Sequence, residues 1–210
     1  MLFGENDQEL TPTHLQFINL ASGSNLPVGT DSGPCTKAIQ HSDPFTLDGR
    51  SIVLIDTPGF SEREPSVSRA AVLKTLPKFL SNKQVHIGAR HFPIFRTELL
   101  ILNRWGKKAK LSGIIHIHHL PDPRPLKISR DNVGLSRKLC GDKTSKNTVF
   151  VTNMWGEVSR YIGEAREKEL SDDKFKVILD DGAQMVRHQD TRQSAHDAIR
   201  MITRNLPGLR

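Results

Sequence analysis

Ser51-Ile52-Val53-Leu54-Ile55-Asp56-Thr57-Pro58-Gly59-Phe60 is the stretch on which the reading of this chain turns. Four consecutive apolar residues, three of them β-branched, suit a strand covered on both faces, as in parallel-type sheets. Asp-Thr-Pro-Gly follows, so the carboxylate stands at the C-terminal end of the strand, where open α/β sheets bind ligands. Just upstream, Pro44-Phe45-Thr46-Leu47 and the Ser51–Ile55 run flank Asp48-Gly49, a turn pair in which Gly supplies positive φ. The sequence therefore predicts a hairpin whose second strand is central and delivers Asp56. A buried strand closed by an ordinary turn is the plainer reading of the same residues, and both stand at this point.

Working outward, Leu15 to Ala21 reads as a short helix halted by Ser22-Gly23-Ser24-Asn25. Residues 22–34, with three Gly and two Pro among polar residues, read as a loop leading to Thr36 and Lys37. Downstream, Ala70, Leu73, Leu76 and Leu80 keep helical spacing, with a kink expected at Pro77. Further strands are predicted at Leu111–Ile117, Thr148–Thr152 and Lys176–Leu179. Helices are predicted at Asp131–Leu139, closed by Gly141, and from Val158 to Leu170, with Glu164 and Lys168 at i,i+4. A last amphipathic helix carries Ala195, Ala198, Ile199 and Ile202, with Asp190 or Thr191 as its N-cap. Strands alternating with helices predict a three-layer α/β sandwich with a mostly parallel sheet and one antiparallel edge strand. Val85 to Arg104, apolar and basic without a clean period, fits no element. It is expected to be an atypical insertion, either a partner-binding surface or sequence foreign to the native chain.

At 210 residues the chain can build one domain with a sizeable core. Residues 1–12 are polar and expected to be disordered, which leaves 13–206 as the domain. No run approaches the roughly 18 apolar residues of a membrane span, and no signal peptide is evident. Cys35 and Cys140 make neither a disulfide framework nor a metal site, so reduced thiols and a cytoplasmic location are expected. The net charge of +7 is mild and reads as solvated surface or as a bias toward anionic partners such as phosphates or acidic lipid, and nucleic acid is not expected.

The chain resembles the septin-like, immunity-associated P-loop GTPases, most closely the small G-domain proteins of mushroom-forming fungi. The phrases that carry this are Phe17-Ile18-Asn19-Leu20-Ala21-Ser22-Gly23-Ser24, Pro44-Phe45-Thr46-Leu47-Asp48-Gly49, Leu54-Ile55-Asp56-Thr57-Pro58-Gly59-Phe60, Arg137-Lys138-Leu139-Cys140-Gly141-Asp142, Val151-Thr152-Asn153-Met154-Trp155-Gly156-Glu157, Gly163-Glu164-Ala165-Arg166, and Gly182-Ala183-Gln184 with Arg187-His188. The resemblance implies a P-loop fold, GTP and GDP as ligands, and Mg2+. By position it makes Asp56 the carboxylate that holds Mg2+ and Gly59 the glycine whose N–H senses the γ-phosphate. It makes Thr36 the switch threonine that reaches Mg2+. Asn153 stands where guanine would be read, with Trp155 beside it, and the Gly182-Ala183 loop where a backbone N–H would contact the guanine carbonyl.

Two departures qualify this. A P-loop needs G-x-x-x-x-G-K-[ST], in which backbone N–H groups and Lys hold the β-phosphate and the hydroxyl binds Mg2+. Directly before Phe17 the chain has Thr13-His14-Leu15-Gln16, with no glycine between Gly4 and Gly23 and no lysine before Lys37. The P-loop and the strand that should precede it are therefore expected to be missing. At the base site, alignment on the strand end puts Trp155 where N-K-x-D has its Asp. Trp155 can stack on a base or simply pack, but it cannot accept hydrogen bonds from guanine.

Two functions follow. One is a GTP-binding switch with slow hydrolysis, since no glutamine or arginine for positioning water is evident. The other is a nucleotide-free pseudo-GTPase acting as an interaction module, with a protein partner or a second copy of itself. His116, His118 and His119 cluster without a fourth ligand, Cys140 lacks a base partner, and Lys107, Lys108 and Lys110 read as a solvated turn.

Overall fold

The computed structural model describes residues 13–28, 40–56, 94–97, 102–105, 108–121 and 145–206. The chain divides into two compact units, Met1–Leu111 and Ser112–Arg210. Thr36, Gly59, the helix expected around Pro77 and the helix expected at Asp131–Leu139 lie outside the described residues.

In the first unit, α1 (Thr13–Ser22) presents Leu15, Phe17, Ile18 and Ala21 as a buried stripe against the central strand. It stops at Gly23, whose φ of 77° lets its N–H return to Asn19 O at 2.8 Å. The Asn19 amide then clips the following loop, accepting from Leu26 N at 2.8 Å and donating to Leu26 O at 2.9 Å.

The central strand is β3 (Arg50–Asp56), buried continuously from Ile52 to Asp56. It pairs antiparallel with β1 (Gln40–His41) and β2 (Phe45–Leu47) and parallel with β4 (Ile94–Thr97). The β2–β3 turn is Asp48-Gly49, with φ of 50° and 75°, the left-handed pair that a two-residue hairpin requires. Between the two antiparallel registers, Ser42 to Pro44 oppose only Val53 and Leu54, which makes a β-bulge. Ser42 fills the gap. Its N–H donates to Leu54 O at 2.8 Å, and its buried hydroxyl accepts from Leu54 N at 2.9 Å in place of a ladder carbonyl.

The Val85–Arg104 segment, which the sequence leaves without an element, supplies β4 and also β5 (Leu102–Trp105). The latter forms a hairpin with β6 (Lys108–Leu111). The strand predicted at Leu111–Ile117 is divided: β6 ends at Leu111, and β7 runs from Ile114 to His119.

The second unit is built on a parallel three-stranded sheet, β7, β8 (Thr148–Asn153) and β9 (Gln184–Arg187), with β8 in the middle. Helix α2 (Arg160–Glu169) opens on Ser159, whose hydroxyl accepts from Ile162 N. It passes through one π-turn (Leu170–Lys174) into the short α3 (Lys176–Asp180). The π-turn sets Phe175 on Phe150, ring centroids 4.0 Å apart and nearly parallel. Helix α4 (Arg192–Thr203) is capped by Thr191, which accepts from Ser194 N, and buries Ala195, Ala198, Ile199 and Ile202. Its close approach uses Gly113, where a Cβ would lie 2.4 Å from Ile202 Cγ2.

Two sequence expectations are corrected here. Lys176–Leu179, read as a strand from its aliphatic run, is helix α3, and the strand is Gln184–Arg187. Val177 stands exposed while Ile178 and Leu179 pack on the Phe150 cluster, a helical rather than a two-faced pattern. Glu164 does not pair with Lys168. It accepts from Arg160 Nε at 2.8 Å, and Lys168 turns one helical turn forward to Asp172 at 2.8 Å.

Candidate functional site

Parallel strands carry their ligand sites at their C-terminal ends, and the described residues offer two such ends. In the first unit, β3 ends at Asp56, whose carboxylate is fully buried. In the first turn of α1, His14 Nδ1 lies 3.8 Å from Asp56 Oδ1, near the carboxylate but beyond hydrogen-bond reach. This approach is not written in any local apolar pattern. The only available signal was the polar Thr13-His14 step at the place where a phosphate-binding lysine and hydroxyl would be expected. Gln16 is exposed and Leu15 is buried. Of the oxygen donors that the resemblance assigns to Mg2+, only Asp56 is described, and it faces an imidazole. Mg2+ takes oxygen ligands in octahedral array, so the described donors do not by themselves fit it.

In the second unit, the middle strand ends at Asn153. Its side chain is fully buried, and among the described residues neither Nδ2 nor Oδ1 has a hydrogen-bond partner. Leaving such an amide unsatisfied costs about 1–3 kcal/mol for each missing bond, and buried polar groups without partners are rare in folded proteins. Met154 follows in the left-handed region, φ 60° and ψ 37°, a strained conformation for a residue other than Gly, Asn or Asp. Backbone strain of this kind gathers at binding and catalytic sites.

Trp155 is held from three sides. Its Nε1 donates to Thr152 O and Thr152 Oγ1, each at 3.2 Å. Its six-membered ring lies against Gly163 of α2, where a Cβ would sit 2.8 Å from Cζ3. The Arg187 guanidinium covers a ring face at 4.1 Å. Arg187 is in turn forked onto Glu167, with Nε 2.9 Å from Oε2, and Glu167 also accepts from Thr152 Oγ1 at 3.2 Å. The ring is thus committed to joining β8, β9 and α2.

Asn153 and Trp155 therefore stand together at one strand end. Gly182 and Ala183 do not join them. They precede β9, whose Gln184 pairs with Val149 near the start of β8. Their N–H groups close α3, Gly182 on Leu179 O at 2.9 Å and Ala183 on Ile178 O at 3.1 Å. What lies beyond the C-terminal end of β9 is His188, whose N–H donates to Thr152 O at 2.8 Å. Its buried imidazole sits 2.8 Å from Ser194 Oγ through Nδ1 and 3.6 Å from Asp190 Oδ1 through Nε2. Burial pushes this imidazole below its ordinary range, and Asp190 opposes the shift only in part.

No protein-family model matches the chain, and no curated protein matches it. Among solved structures, it is similar to one of the chloroplast translocon components atToc33 and psToc159, whose dimerization is described as important for GTPase activity. The two chains share 13% identity over 81% of this chain and 70% of that one, with a TM-score of 0.47.

Two of the three histidines of β7 face aromatic rings. His116 stacks on Phe150 at 5.1 Å, and His118 meets Phe175 edge-on. Among the described residues no group of three potential ligands converges, and no helix is long and apolar enough to cross a membrane.

Proposed function

We propose that the chain is a guanine-nucleotide-binding domain of the P-loop GTPase type, of the septin-like group, with slow GTP hydrolysis at most. The observation that carries this is Asn153: a fully buried amide, unpartnered at both polar atoms among the described residues, at the C-terminal end of the middle strand of a parallel sheet. A nucleobase edge offers the donor and acceptor that this amide lacks. Asp56, Thr36 and Gly59 belong to the same reading as the groups that would serve the phosphates and Mg2+. No catalytic residue is assigned.

The second reading, a nucleotide-free pseudo-GTPase that binds a protein, has its own observation. Asp56 has the His14 imidazole 3.8 Å away, and residues 13–16 carry neither the lysine nor the glycines of a phosphate cradle. Calorimetric titration with GTP, GDP and ATP, each with and without Mg2+, separates the two. Micromolar or tighter binding of GTP or GDP supports the first. Absence of heat with all three nucleotides removes it and leaves the second.

A further inference from the structure

We propose that His14 and Asp56, with Gln40 beside them, bind Zn2+ in preference to Mg2+ at the end of the central strand. The donors described around Asp56 do not suit Mg2+, but they suit an ion that accepts an imidazole. Such a site needs no nucleotide, because every ligand named is a side chain of the chain itself.

Asp56 is fully buried at the end of β3, and a cation held against a buried carboxylate meets little screening. His14 Nδ1, 3.8 Å from Asp56 Oδ1, is too far away for a hydrogen bond. The same separation suits two ligands of one ion, since Zn2+ lies about 2.0–2.2 Å from an imidazole nitrogen or a carboxylate oxygen. At a tetrahedral angle such ligands stand about 3.4 Å apart, so a shift of about 0.4 Å by the partly exposed His14 ring completes the pair.

Gln40 adds a third donor. It is the register partner of Asp56 in the antiparallel β1–β3 ladder. Directly opposed residues carry their side chains on one face, with Cβ atoms about 4.5–5.5 Å apart, so the Gln40 amide oxygen can reach the same ion. Ser42 holds that register, bonded to Leu54 through both its N–H and its hydroxyl. Helix α1, packed on β3 through its buried stripe, brings His14 over the strand end. No third His, Cys, Asp or Glu converges among the described residues, so water would complete the shell.

The imidazole is the selective donor. Zn2+ accepts nitrogen and oxygen together at four-coordinate sites, whereas Mg2+ demands an octahedron of oxygens and gives up water reluctantly. A bound ion would tie α1, β1 and β3 together. It would also bring positive charge to the strand end, where residues 13–16 carry no lysine.

The test is calorimetric titration of the full chain, stripped of metal by a chelator, with ZnCl2 alone and with MgCl2 alone. One equivalent of Zn2+ should bind with micromolar or tighter affinity, and Mg2+ about a hundredfold or more weakly. His14→Gln should weaken Zn2+ by about tenfold or more, and Gln40→Ala by less. Zn2+ should raise the thermal midpoint of the unmodified chain and leave that of His14→Gln unchanged. Should His14→Gln fail to fold, Gln40→Ala and the ring-nitrogen NMR signals of the unmodified chain decide, one imidazole alone being expected to shift with the first equivalent of Zn2+. Zn2+ that binds both variants as tightly as the parent is an adventitious ion only and overturns the proposal. Absence of Zn2+ binding overturns it too, as does Mg2+ binding as tight as that of Zn2+. None of these outcomes touches the nucleotide titration, and a chain that binds no nucleotide leaves the metal site standing.

Discussion

Arg187 lies over Trp155, its guanidinium carbon 4.1 Å from the ring centroid, while the same guanidinium is forked onto Glu167. One side chain at the end of β9 therefore fixes the turn after β8 to helix α2. Arg187 is partly exposed, so its ion pair is screened and contributes less than a buried one. Its contact with the ring adds about 0.5–2 kcal/mol. Arg187→Ala should lower stability by about 1–2 kcal/mol in urea denaturation. It should also shift Trp155 fluorescence in a Trp105→Phe background. Arg187→Lys should recover less than half of the loss, because an ammonium neither forks nor lies flat on a ring.

Gly163 tests the other side of the ring. Glycine inside a helix normally costs about 1 kcal/mol relative to alanine, so Gly163→Ala in α2 would ordinarily stabilise. Here the new Cβ would lie 2.8 Å from Trp155 Cζ3 and 3.0 Å from Cε3. The ring is tied at Nε1 and cannot retreat freely. Gly163→Ala should therefore destabilise by about 1–3 kcal/mol, as overpacking does. Gly156→Ala, with nothing in the way, should stay within about 1 kcal/mol of the parent. Thermal unfolding of the two variants side by side measures the contrast.

His188 predicts the acid limb of the stability profile. Its folded-state pKa lies below the unfolded value of 6.5, chiefly through burial. The fold therefore favours the neutral imidazole. The contribution is fully present above pH 6.5 and is lost as pH falls below it towards the depressed folded value. Urea midpoints measured from pH 8 to 5 should decline below about 6.5. His188→Gln, which cannot take up a proton there, should flatten that part of the decline while being less stable at pH 8.

Asn153 should show function and stability in opposition. With both amide atoms buried and unpartnered, replacement by an apolar residue of similar size removes an unmet cost of about 1–3 kcal/mol. Asn153→Leu should be as stable as the parent, or more stable, in the absence of ligand. It should also lose nucleotide binding in the same titration. A marked loss of stability would mean that the amide has a structural role instead.

The parts of the fold legible in the sequence were those written in local patterns. The Ile52–Ile55 run, the Asp48-Gly49 turn and the Thr191 cap each act within a few residues, and the structure contains all three. Lys176–Leu179 misled because an aliphatic run of that length suits a strand or a helix equally well. Only the exposure of Val177 and the packing of Phe175 decide it. The Gly182-Ala183 loop, assigned through the resemblance, lies at the far end of β9 from Asn153. Asn153 was singled out only through the resemblance, by its place at a strand end. His14 and Arg187 were not legible, because their meaning lies in Asp56, Trp155 and Glu167, residues distant in the sequence that only the tertiary structure brings to them.

The single π-turn between α2 and α3 has a consequence for how this chain can vary in length. Phe175 N bonds to Leu170 O, five residues back, at 2.7 Å, so the turn holds one residue more than an α-helix would. Removing any one residue from 171–174 would leave Phe175 four residues from Leu170, the ordinary α-helical spacing, and so close to its place over Phe150. The turn thus holds a residue that the packing of this unit does not require. Substitution or loss of the exposed Asp172 or Asp173 should be absorbed, whereas a further residue inserted there should not.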